Sequence, residues 1–217
     1  MNKRLVLGNG ASVTVLGVIK GLFSERENVR NAFENDHDLV AVSISPEELE
    51  GLRAYREGKV EDDYELSDYE LIYAQNLRKF GKVGLPPPCF VEALKEAASG
   101  DIPVSAIDMD ETKYTNAYCA YISGTALVRH SLRKGIMKHM EIKASTPEEF
   151  VMKWDAKINK ISGFKKLEEK RESHMAKRLL RLSDEHRNML AIIELERAGG
   201  VIEKVKTAEG DKKASRQ

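Results

Sequence analysis

Asp108, Asp110 and Glu111 set three carboxylates within four positions at the end of the β-branched run Pro103-Val-Ser-Ala-Ile107. Hard cations take carboxylate oxygens, so this is the nearest thing in the chain to a metal cluster. A helix N-terminus is the competing account, because the macrodipole favours acids there by ~0.3–1 kcal/mol. It covers Asp110 and Glu111 and leaves Asp108, still on the strand, as the best catalytic candidate. The five histidines, His37, His130, His139, His174 and His186, do not fall at zinc-site spacing. Gly8-Asn9-Gly10 lacks the third glycine of a phosphate loop, and neither Gly-x-Ser-x-Gly nor Gly-Lys-Ser/Thr is present. No metal and no cofactor is expected.

Arg171 is the second informative residue. The stripe Phe164, Leu167, Arg171, Met175, Leu179, Leu182 puts a guanidinium where periodicity points inward. A buried cation needs a carboxylate such as Asp108 or a bound anion, since an unpaired one costs several kcal/mol. The Lys/Arg-rich run 165–187 is interleaved with Glu168, Glu169, Glu172, Asp184 and Glu185 and has no aromatic platforms. It reads as a solvated helix face rather than a nucleic-acid surface.

The elements that must position these groups follow from the pattern. Lys3-Arg-Leu-Val-Leu, Gly-Asn-Gly and Ser12 to Ile19 predict an N-terminal hairpin. A helix over 25–34, a strand over 39–44 and a helix opened by a Ser45/Glu48 capping box come next. An acidic link at Glu61-Asp-Asp precedes helices over 67–80 and 89–98, the strand before Asp108, and one long inward-facing helix from Glu111 to Lys134. Ser145-Thr-Pro-Glu-Glu opens a helix carrying Phe150, Trp154, Ile158 and Ile161, and a charged helix runs on to Arg187. Met189 to Leu195 reads as a last buried strand, Gly199-Gly200 as a turn, and 206–217 as a polar, flexible tail. Strands alternating with helices imply an α/β fold with a mostly parallel sheet, an N-terminal β-hairpin and long flanking helices, in a single domain over 1–205. Working groups of such sheets gather at strand carboxyl ends: here Lys20, Ser43 to Ser45, Asp108 to Glu111 and Glu194 to Arg197.

The 217 residues carry 35 basic and 35 acidic side chains, yet 12 basic and 21 acidic ones precede the end of Glu111, which leaves 23 and 14 after it. A net charge of zero excludes a generic polyanion binder. No run approaches the ~18–20 apolar residues of a bilayer span or the core of a signal peptide, so a cytoplasmic protein outside the membrane is expected. Cys89 and Cys119 read as buried small hydrophobes.

The order of these pieces resembles the TraB/PrgY group of the Tiki/TraB superfamily over about residues 3 to 205. Val13-Thr-Val-Leu-Gly-Val-Ile-Lys20 stands where that group has a strand ending Gly-x-x-His, and Val40-Ala-Val-Ser43 where it has Val-x-Val-Glu. Gly84-Leu-Pro-Pro-Pro, Glu92 to Ala98 and Ser105-Ala-Ile-Asp108-Met are similar to its bend, alanine-paired helix and Asp-Arg strand. Lys170-Arg171-Glu-Ser-His-Met175-Ala176 is similar to its Glu-Arg-Asn-x-x-Met-Ala helix, and Glu194-Leu-Glu-Arg197 stands at its second Gly-x-x-His. The resemblance implies a metal-dependent hydrolase or protease site, but Lys20, Arg197 and Ser43 occupy the two histidine positions and the acid position. Ammonium and guanidinium groups offer no lone pair, so the inherited metal activity is expected to be lost. The expected function is a non-catalytic binding or regulatory protein. Lys20, Ser43, Asp108, Arg171 and Arg197 would then form a cationic pocket for a small anion, phosphate or carboxylate. The alternative is a hydrolase or protease-like enzyme with a carboxylate-based site at Asp108 and Asp110. Oligomeric state stays open.

Overall fold

The computed structural model describes residues 2–59, 67–138 and 142–214. The link at Glu61 and the side chain of His139 lie outside them. There are five strands among the described residues: β1 (Asn2–Val6), β2 (Ser12–Val18), β3 (Leu39–Val42), β4 (Val104–Ala106) and β5 (Asn188–Glu194). Their order is β1-β2-β5-β3-β4, with β1 antiparallel to β2 and the other pairs parallel. The fold is thus α/β, and the hairpin is where the turn chemistry predicts it: Leu7 N–H donates to the Ala11 carbonyl at 2.8 Å. Four parallel strands send their carboxyl ends to one edge, which brings Lys20, Ser43, Asp108 and Glu194 to the same side of the sheet.

Helices cover both faces, which is why the inner strands are apolar at nearly every position instead of alternating. On β5, Met189, Ala191 and Ile193 enter one core while Leu190 and Ile192 enter the other. The first core includes Met175 and Leu179 of α8 (Ser162–Leu182) and Ala198 and Val201 of α9 (Leu195–Ala214). The second includes Val29 of α1 (Glu25–Ala32), Leu49 of α2 (Pro46–Arg56) and the fully buried Phe90 of α4 (Pro88–Ser99). A third cluster sits at the carboxyl edge, where Ile19 and Leu22 pack with Leu77 of α3 (Asp68–Leu77) and with Phe150 and Val151 of α7 (Pro147–Ile158). Capping boxes open α2 at Ser45 and α3 at Ser67, and Thr146 caps α7.

Three expected elements differ. The long helix from Glu111 is two helices, α5 (Glu111–Tyr121) and α6 (Gly124–Lys138). Gly163 at the start of α8 lies so close to the end of α5 that a Cβ there would sit 2.5 Å from the Tyr121 carbonyl oxygen. Ile122 leaves the helical region (φ −99°, ψ 105°), and the Ser123 hydroxyl accepts from the Ala126 N–H at 3.2 Å to start α6. Nor does this segment face inward. Tyr121, Thr125, Leu127 and Val128 are exposed and Ala117 is the buried residue of α5. The second difference is Gly199-Gly200, which lies inside α9 and makes no turn. Gly200 has no Cβ to strike the Glu172 carboxylate on α8, so the two helices close on each other there. The third is the tail: residues 206–214, expected to be polar and flexible, continue α9, and 215–217 lie outside the described residues.

Adding one methyl at Gly163 therefore tests the break between α5 and α6. Gly163→Ala is expected to lower stability by about 1–3 kcal/mol in urea titration, since the atom it meets is backbone and has no rotamer to move.

Candidate functional site

Asp108 ends β4 with its side chain 6% exposed, and both oxygens are engaged: Oδ1 takes the Met109 N–H at 2.7 Å, and Oδ2 takes the Arg171 Nε at 3.0 Å and its Nη2. Arg171 does point inward, as its place in the stripe predicts, and it also bonds Glu168 at 2.8 Å and approaches Glu194 at 3.8 Å. Burial works against its charge, but Glu168, Asp108 and Glu194 outweigh that and raise its pKa well above the ordinary arginine value. The other two acids of the Asp108 cluster turn away. Asp110 caps α5 by accepting the Lys113 N–H at 2.8 Å, and the exposed Glu111 sits in the first turn.

The remaining expected site residues join the same edge. The Ser43 hydroxyl accepts the Glu194 N–H at 3.0 Å, bridging β3 to β5. Lys20 lies 3.6 Å from Glu194 and 3.7 Å from Glu48. Arg197, 5% exposed, bonds Glu172 at 3.0 Å and Asp155, and stands 3.6 Å from Glu168. Lys204 adds a bond to Glu172 at 2.9 Å. An unbroken path thus runs Lys20–Glu194–Arg171–Glu168–Arg197. The five residues do belong to one network, but its charge is not the expected one. Lys20, Arg171, Arg197 and Lys204 face Glu48, Asp108, Asp155, Glu168, Glu172 and Glu194, so carboxylates outnumber cations among the described residues. Among the described residues each of these four cations lies within 4 Å of at least one carboxylate of the chain.

Sequence reasoning missed most of these carboxylates. Glu168 and Glu172 looked like part of a solvated face, though Glu168 lies three residues before Arg171 on its own helix, and that spacing was the available signal; Glu172 meets Arg197 and Lys204 of α9, which no local spacing marks. Of the two cysteines, Cys89 is buried and its thiol is pushed up to about 12 by that burial, but Cys119 is exposed on α5 and is not a core residue. Among the described residues no group of three or more His, Cys, Asp or Glu side chains is placed to hold a metal ion.

Beside the network lies a cavity of about 360 Å³. Tyr69 and Tyr73 of α3, Trp154 of α7, Phe164 of α8 and His130 of α6 give it aromatic walls. His130 is sandwiched, 4.3 Å from the ring centres of both Tyr69 and Phe164. Tyr73 and Trp154 meet at 5.7 Å and 59°. Glu196, on the first turn of α9, lines this cavity, and its Oε2 is buried with no hydrogen-bond partner among the described residues. Burial raises its pKa to about 8, and Glu194 adds to the effect.

The fold and site together define an α/β protein whose strand-end edge is closed by its own ion pairs and opens onto an aromatic cavity. No protein-family model matches the chain, and no curated protein sequence matches it.

Two outcomes are expected. Asp108→Ala removes the two hydrogen bonds that Arg171 makes to Oδ2 and is expected to cost about 3 kcal/mol. The double change Asp108→Leu/Arg171→Met removes the pair but leaves Glu168 and Glu194 without that cation, so it is expected to recover only part of the cost. A catalytic Asp108 would not make stability follow that pattern. The second concerns pH. A carboxyl whose pKa is higher folded than unfolded stabilises the fold fully below its ordinary value of 4.5, and that contribution is lost as pH rises through about 8. Asp155 and Glu168, also raised by burial, act in the same sense. Thermal stability is therefore expected to fall between about pH 5 and pH 8, and to fall less in Glu196→Gln.

Proposed function

We propose that this chain is a non-catalytic binding protein on a TraB/PrgY-like scaffold, and that its ligand occupies the aromatic cavity beside the strand-end edge. One observation carries the reading: every cation at the edge is engaged by carboxylates of the chain itself, while the adjoining cavity has room and an unsatisfied polar atom. A volume of about 360 Å³ is in the range of small-molecule sites, which are mostly apolar with a few placed polar groups. The placement of Lys20 just past β2 and of Arg197 in the first turn of α9, both in the path of ion pairs, fits a site in which metal ligands have given way to fixed charge. The substitution then serves cohesion rather than anion capture. The competing hydrolase reading needs Asp108 as a free acid or base, and Arg171 holds that carboxylate.

The test is thermal unfolding with separate additions of Mn²⁺, Zn²⁺, inorganic phosphate, and a panel of phenyl, indolyl and cyclohexyl compounds with neutral, anionic and cationic heads. At a hundredfold excess over Kd a ligand adds ~2.7 kcal/mol, a shift of several degrees for a chain of this size. The panel is expected to contain stabilising members, whose effect disappears when Ala74→Trp fills the cavity. Stabilisation by Mn²⁺ or Zn²⁺, or by phosphate with no panel compound active, would overturn the reading.

A further inference from the structure

We propose that the cavity selects an organic ammonium ion, with its apolar body between the rings of Tyr73, Trp154 and Phe164 and its amino group on Glu196. The proposal rests on the binding reading above and names the chemistry of the ligand.

Three observations converge. First, Glu196 lines the cavity and its buried Oε2 has no donor among the described residues, and a buried acceptor left unmade costs ~1–3 kcal/mol. The other acids of the lining are occupied: Glu70 closes the capping box of α3 with Ser67 at 2.9 Å, and Glu168 is on Arg171. An ammonium group carries three donors and no acceptor, so it is complementary to that oxygen; a carboxylate or phosphate has only acceptors to offer. Second, the walls are aromatic, and ring faces carry the negative end of a quadrupole that attracts a cation within ~6 Å. Third, the charge of the lining is acidic. Glu70, Glu168 and Glu196 stand against Lys20, whose ammonium lies near Glu194 and Glu48, and the imidazole of His130. An anion entering here would meet carboxylates, whereas an ammonium ion would meet complementary charge on a surface that also takes its hydrocarbon part.

Glu196 also differs from the network acids in what binding would do to it. Burial and Glu194 beside it disfavour its ionised form, and an ammonium ion would supply the counter-charge that favours it. The neighbouring Arg197 cannot do so, being committed to Asp155 and Glu172.

Calorimetry on the whole chain with phenylpropylamine, phenylpropanol and phenylpropanoate, three probes of one shape and different head charge, tests the inference at about pH 8.5, where the amine is protonated. The amine is expected to bind at least about tenfold more tightly than either of the others, and Glu196→Gln to remove most of that preference. Equal or tighter binding of the alcohol or the carboxylate overturns the ammonium assignment while leaving a ligand-binding cavity in place. Failure of all three to bind overturns the assignment as well. Because the comparison among probes is made on the unaltered protein, a poorly folding Glu196→Gln would not rescue it.

Discussion

The structure turns on a guanidinium that the helix pattern forces inward. Arg171 sits on the apolar stripe of α8, and a cation there can persist only if carboxylates come to it. Asp108 comes from the end of β4, Glu194 from the end of β5 and Glu168 from the helix itself. One side chain thereby ties two strand ends to the helix that covers them. Glu194 passes the link to Lys20 at the end of β2, and its N–H reaches Ser43 at the end of β3. All four parallel strands are therefore joined at their carboxyl edge by polar contacts that radiate from a single buried charge.

That arrangement explains why the edge offers so little chemistry of its own. Parallel sheets leave their strand ends as the natural place for a ligand. In this chain the ends are filled by groups that satisfy one another, and Arg197 extends the closure by drawing α7 through Asp155 and α8 through Glu172. The space that remains is displaced to the side, between α3, α6, α7 and α8, where aromatic side chains meet. Glu196 stands at the boundary: it lines the cavity and also the polar cleft beside Arg197, and one of its oxygens has no donor. Network and cavity are consequences of the same crowding of acids at the β5–α9 junction.

Much of the fold was legible because its signals are local. The Gly8-Asn9-Gly10 turn, the Ser45 capping box and the apolar run of β5 each act within a few residues. What was illegible depends on distant partners. Ser123-Gly124 is the one local sign of the break after Ile122, and the close approach of Gly163 to the Tyr121 carbonyl is not local, while the glycines at 199 and 200 look like a turn until Glu172 is seen against them. The site divides in the same way. Periodicity marked Arg171 as inward and suggested Asp108 as its partner, and the pair forms. The resemblance to TraB/PrgY proteins drew attention to Lys20, Ser43 and Arg197, which do share one edge. Their charge was misjudged because the acids that neutralise them, Glu48, Asp155, Glu168 and Glu172, lie on helices where alternating charge reads as solvated surface.

The most direct measurement is a crystal structure of the protein soaked in phenylpropylamine and, separately, in inorganic phosphate. The account predicts the amine in the cavity with its nitrogen on Glu196, the ion pairs of Lys20, Arg171 and Arg197 intact, and no phosphate among them. Phosphate seated between Lys20 and Arg197 with those pairs broken, and a cavity that stays empty in the amine, would contradict it.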